Sequence, residues 1–127
     1  MNAAHKPRPK YYEFNLAHHW PPAVVSIFHR ISGALLFLLL PVLLWVLQRS
    51  LASEAEFGRV HAWIGHPIVK LGAIAVAWAC AHHFVAGVRY LILDTHIGMG
   101  RESARRSAIA VFVIEAILVL AFAAWIW

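Results

Sequence analysis

Residues 31–47 read ISGALLFLLLPVLLWVL, seventeen positions without a charge. The mostly apolar stretch 21–28 precedes them. At about 1.5 Å of rise per helical residue, the two together cross a hydrocarbon core of about 30 Å. Pro41 lies inside the run and can kink the helix, which a membrane bundle tolerates. Two more such runs follow. One covers 71–88, extended by 67–69 and 90–93; the other covers 107–127, broken only by Glu115. The pattern predicts an all-α integral membrane protein with three transmembrane helices over about 22–48, 66–94 and 107–127. Residues 1–20 form an N-terminal segment, 48–65 and 95–106 read as connecting loops, and 1–127 form one domain. There is no internal repeat or low-complexity linker. The first apolar stretch exceeds the core of about 7–15 residues usual in a signal peptide, and no small-residue cleavage pattern follows it, so it is expected to stay in the chain.

Composition agrees with the spans. Of 127 residues, 61% are hydrophobic and 13% charged, against about 45–50% and about 25% in an average soluble domain. A soluble domain of this size could not bury that much apolar surface; a bilayer covers it. The net charge is +5. The basic residues flank the apolar runs and form no patch interleaved with aromatics, which argues against nucleic acid as a partner. They suit orientation instead. Lys6, Arg8, Lys10 and Arg30 precede or open the first span, and Arg89, Arg101, Arg105 and Arg106 lie between the second and third. The opposite side has Arg49, Arg59 and Lys70, offset by Glu54 and Glu56. The excess places the N-terminus in the cytoplasm and Trp125 and Trp127 at the far interface. Cys80 is the only cysteine, so no internal disulfide exists; within an apolar run it reads as a small packing residue.

Ionisable side chains within spans are expensive, and they mark candidate sites. Ser26, His29, Arg30 and Gly33 share roughly one face of the first helix. They read either as residues reaching for lipid headgroups or as a site for an anionic or carbonyl-bearing ligand. On the second helix His83, Gly87, Tyr90 and Asp94 form one stripe, with His82 and Arg89 on a neighbouring one. A histidine so deep is too short to snorkel. It reads as a hydrogen-bonded link to another helix, an axial haem ligand or part of a proton relay, and spacing does not choose between His82 and His83. Gly87 suits the approach of a flat macrocycle or simple helix contact. Glu115 is expected to pair with a polar group of another helix or to act as a relay carboxylate. His61 and His66 read as solvated or interfacial on the outer side, His18, His19 and Trp20 as interfacial, and His5 and His96 as loop residues. No paired-carboxylate site, nucleophile–base pair, phosphate loop or zinc spacing is visible.

Ser26-Ile27-Phe28-His29-Arg30-Ile31-Ser32-Gly33 resembles the S-I-x-H-R-x-[ST]-G signature of the succinate dehydrogenase cytochrome b membrane anchor family. His83 through Tyr90 and on to Asp94 is similar to that family's H-x-x-x-G-x-R-[HY]-x-x-x-D segment, and Arg8-Pro9-Lys10 with Asn15-Leu16 to its approach to the membrane. The departures are Tyr90, where some relatives have histidine, and the segment His18-His19-Trp20-Pro21-Pro22.

The resemblance implies a haem b-binding anchor subunit of succinate:ubiquinone oxidoreductase in the bacterial inner membrane. In that role His83 is the axial ligand of the haem iron, His29 and Arg89 lie on the haem propionate side, and Ser26 and Arg30 line the ubiquinone site. It also implies a haem shared with a second anchor subunit, which packs against the three helices and supplies the other axial histidine. By helix rise His83 lies roughly 16 Å and His29 roughly 10 Å from the cytoplasmic end, an offset that argues against one iron shared by these two. The chain has no cysteine set for an iron–sulfur cluster and no flavin-binding pattern, so succinate oxidation falls to iron–sulfur and flavoprotein partners, and this chain is no enzyme by itself. The alternatives are an anchor of a fumarate reductase, another b-type membrane cytochrome, or a non-redox membrane protein using His83, Arg89 and Glu115 as a polar interface.

Overall fold

The computed structural model describes residues 20–127. The N-terminal segment lies outside the described residues, and with it the expectations for His5, Lys6, Arg8, Pro9, Lys10, Asn15, Leu16, His18 and His19. Four helices follow one another: α1 (Pro22–Ala52), α2 (Glu54–Ile64), α3 (Pro67–Asp94) and α4 (Arg101–Ile126). Three of them, α1, α3 and α4, are long and apolar enough to cross a membrane. The protein is an all-α, multi-pass membrane protein.

Each end has a local cause. Pro22 opens α1 and Pro67 opens α3, positions where the missing N–H of proline costs nothing. The His66 ring accepts from the Ile68 N–H at 3.3 Å and caps α3. α1 continues through Pro41 to Ala52, where extended Ser53 breaks it. Between α3 and α4 the chain turns through left-handed backbone at His96 (φ 63°) and Gly98 (φ 79°), and α4 starts at Arg101, six residues before its uncharged run.

The stretch expected as the first loop is largely helical. Ser53 Oγ accepts from the Glu56 N–H, and α2 folds back along the end of α1, where Trp45 meets Trp63 at 6.3 Å. Glu56 binds both Arg49 and Arg59 there. At the same end of the bundle Lys70 lies over the ring of Trp127.

α3 packs against both α1 and α4, which touch each other less. The core is thin and made of small side chains: Val25, Ala86, Ala108 and Val111, with Val85, Tyr90 and Phe112 against it. Small residues let helix backbones approach closely where lipid supplies no hydrophobic drive between helices. The large apolar residues, Phe37, Leu38 and Leu120 among them, point outward. Cys80, expected as packing, is exposed on α3; the buried positions of that helix are Ala79, His82, Ala86 and Arg89.

Candidate functional site

Among the described residues the buried polar side chains are Ser32, His82, Arg89 and Glu115, and each is partnered. Ser32 lies on α1, His82 and Arg89 on α3, and Glu115 on α4, so the polar groups of the three long helices converge on the bundle interior.

Two faces of α3 carry different chemistry. The His83 face meets α1. His83 and His29 stack with ring centroids 4.2 Å apart and planes 3° from parallel. Nδ1 of His83 lies 3.1 Å from the His29 carbonyl oxygen and 3.4 Å from Ser32 Oγ, which itself donates to the same carbonyl at 3.1 Å. A carbonyl oxygen only accepts, so Nδ1 carries the hydrogen and the lone pair of the ring resides on Nε2.

The glycines explain how the rings fit. A Cβ on Gly33 would fall 2.8 Å from His83 Cε1, and one on Gly87 would fall 3.5 Å from His29 Nε2. Each histidine therefore lies over the glycine four residues beyond the other, in antiparallel helices. The one-turn offset read from the sequence closes into ring-on-ring contact. Parallel stacked imidazoles direct their in-plane lone pairs past each other. That geometry, rather than a difference in depth, keeps one metal from being held between the pair.

The His82 face meets α4. His82 hydrogen-bonds Glu115 through Nδ1, and its Nε2 lies 3.3 Å from the Val25 carbonyl oxygen on α1. About two turns further along α3, Arg89 donates from Nε to Ser107 Oγ at 2.9 Å and from Nη2 to the Ala104 carbonyl at 3.1 Å. Glu115 thus meets the expectation of a partner on another helix. Arg89 joins α3 to α4 and is not brought to the His83–His29 stack.

Of the remaining candidates, Ser26 is half-buried and Arg30 exposed near the start of α1, and Asp94 is exposed at the end of α3. Tyr90 meets the His29 ring edge-on at 5.2 Å. Its buried hydroxyl has no hydrogen-bond partner. Sequence reasoning passed over Ser32 and the service Gly33 performs for His83. The signal was present: His29 and Gly33 on one helix, His83 and Gly87 on the other, share the spacing His-x-x-x-Gly.

The chain matches the succinate dehydrogenase/fumarate reductase transmembrane subunit family over residues 4–122. The chain belongs to that family. Among its relatives is the succinate dehydrogenase cytochrome b556 subunit of Coxiella burnetii, 37% identical over 111 residues that cover 86% of this chain and 89% of the relative. The subunit of the same name from Paracoccus denitrificans is 32% identical over 105 residues, covering 77% and 78%. The two motifs through which the sequence resembles these succinate dehydrogenase/fumarate reductase transmembrane subunits lie face to face across the α1–α3 seam: His29 and Gly33 against Gly87 and His83.

Proposed function

We propose that this chain is the haem b-carrying membrane anchor of succinate dehydrogenase, with His83 as an axial ligand and with Ser26 and Arg30 at a ubiquinone site. The name cytochrome b556, borne by both relatives, implies a b-type haem. The observation that carries the reading is the commitment of His83 Nδ1 to the His29 carbonyl. It leaves Nε2 as the ring's donor atom, as metal-bound imidazoles usually arrange it. The residues fit the group in a second respect. The buried, unpartnered hydroxyl of Tyr90 beside His29 is a hydrogen-bond donor left unused on the side assigned to the propionates.

When bound, the haem supplies a one-electron carrier whose potential depends on its axial ligands and their surroundings. The chain's own residues do the rest. Gly33 gives the His83 ring its place, and the His29 carbonyl fixes its tautomer. His29 takes the propionate side. Arg89, its Nε and Nη2 engaged with α4, would act there through its charge. Reduction of a quinone places negative charge on its carbonyl oxygens. The Ser26 hydroxyl and the Arg30 guanidinium, a turn apart on α1, can donate to such an oxygen and stabilise that charge in a low-dielectric setting.

A second anchor subunit supplies the other axial ligand, and iron–sulfur and flavoprotein subunits supply the electrons. The charge asymmetry of the loops supports an orientation with the N-terminus in the cytoplasm, next to those partners.

The test is a reduced-minus-oxidised visible spectrum of the purified complex. His83→Ala is expected to abolish or shift the b-type band; an unchanged band would remove His83 from the ligand set. Arg30→Ala is expected to lower ubiquinone reduction by about 10²–10³-fold, the scale seen when one such electrostatic donor is removed, while succinate oxidation with an artificial acceptor persists. Equal loss of both activities would make Arg30 an assembly residue instead.

A further inference from the structure

His82 is fully buried and caged by aromatic rings: Phe28 at 5.7 Å, Trp78 at 5.8 Å and Phe112 at 6.1 Å between centroids. Both of its ring nitrogens are used. Nε2 faces the Val25 carbonyl of α1 at 3.3 Å and so carries a hydrogen, because a carbonyl cannot donate. Nδ1 is bonded to Glu115 of α4, with one proton between nitrogen and carboxyl oxygen. Wherever that proton rests the pair is neutral as a whole, the condition under which a buried pair persists within hydrocarbon. Among the described residues His82 is the one side chain of α3 hydrogen-bonded to both α1 and α4.

His82 immediately precedes His83. Successive residues on a helix project about 100° apart, so fixing the direction of one fixes that of the other. The His83 ring has little freedom of its own: a single carbon added at Gly33 would collide with it. A rotation of α3 about its axis would therefore move the ring away from its place over Gly33 and from the His29 carbonyl.

We infer that the His82–Glu115 pair is a positioning device. It locks the rotation of α3 between α1 and α4 and so sets the orientation in which the His83 imidazole meets its metal. This rests on the reading of His83 as a haem ligand. Neither His82 nor Glu115 touches the haem in this scheme; both act through the helix.

The experiment uses the assembled, haem-loaded complex and two variants. Glu115→Gln keeps the bridge, because its amide N–H can donate to Nδ1 while Nε2–H still donates to Val25. The double variant His82→Phe/Glu115→Met removes the bridge and leaves no buried polar group unpaired, so the fold retains a packed interior. The readouts are the low-field electron paramagnetic resonance feature of the ferric haem and its midpoint potential. Both are expected to shift in the double variant and to stay at the wild-type values in Glu115→Gln. Wild-type values in the double variant would overturn the inference. So would a Glu115→Gln shift as large as that of the double variant, since charge rather than direction would then be the cause. If the double variant does not assemble, Glu115→Asp, which draws the carboxylate back by one methylene, takes its place with the same two outcomes. His83→Ala is read in parallel: an unaltered haem signal there removes the ligand reading, whereas an unaltered signal in the bridge variants alone removes only the positioning role.

Discussion

Gly33 and Gly87 occupy matching places, each beneath a histidine of the other helix, yet they should not tolerate change equally. A methyl at Gly33 would sit 2.8 Å from His83 Cε1; at Gly87 it would sit 3.5 Å from His29 Nε2, an ordinary contact. Replacing glycine by alanine inside a helix gains up to about 1 kcal/mol of helix propensity. Forcing a side chain into a filled space costs about 1–3 kcal/mol and displaces its neighbour. The second effect wins at Gly33 and the first at Gly87. Gly33→Ala should therefore lower the haem-to-protein ratio of the purified complex severalfold, and Gly87→Ala should leave it near the wild-type level. Absorbance of the reduced b-type band against protein concentration checks both; equal tolerance would mean that the ring-over-glycine fit carries no weight. The sequence marked the histidines as costly within a membrane span and placed a glycine on the face of each. It could not say that each glycine serves the histidine of the other helix, because one chain's periodicity describes a helix face and not which face it meets. The same limit applied to His82 and Glu115, thirty-three positions apart, whose bond depends on the rotation of two helices at once.

At the scale of elements, the three long helices were plain from uncharged length alone, since in lipid nothing but a closed hydrogen-bonded segment satisfies the backbone. The C-terminal end of α1 at Ala52 and the start of α4 at Arg101 were not, because a helix need not stop where hydrocarbon does. α2 was missed for a different reason. It is short and polar at its start, and it is read easily as a link between spans. Its start was nevertheless written in Ser53 and Glu56, the spacing of a capping box, and Ser53 Oγ does accept from the Glu56 N–H at 3.2 Å. Glu54 and Glu56 in the first turn add charge that suits a helix N-terminus. Losing such a cap costs about 0.5–2 kcal/mol, and α2 buries none of its residues fully, so little else compensates. Ser53→Ala should raise the amide hydrogen-exchange rate of α2 by roughly three- to thirtyfold for about 0.7–2 kcal/mol of lost local stability, with α1 and α3 unaffected. Unchanged exchange would show that packing against Trp45 and the Arg49–Glu56 pair, rather than the cap, holds α2 in place.

At the scale of the whole molecule, exposed apolar surface does not distinguish lipid from protein as a neighbour, because both cover it. The ligand geometry does. A b-type haem with two imidazole ligands needs nitrogen lone pairs that approach the iron from opposite sides. Under the proposed ligation this chain would offer His83 Nε2 at the seam, while His29 lies flat against the His83 ring at 4.2 Å and His82 has both nitrogens engaged inside the bundle. Neither His29 nor His82 is placed to complete the pair. The chain produced without a companion anchor subunit should consequently bind haem weakly and in a high-spin state, and coexpression with that subunit should convert it to a low-spin species. Electron paramagnetic resonance of the oxidised membranes separates the two states. A low-spin, two-histidine signal from the chain alone would require His29 to leave its stack and would overturn the arrangement proposed for both rings, since the carbonyl that fixes the His83 tautomer belongs to His29 itself.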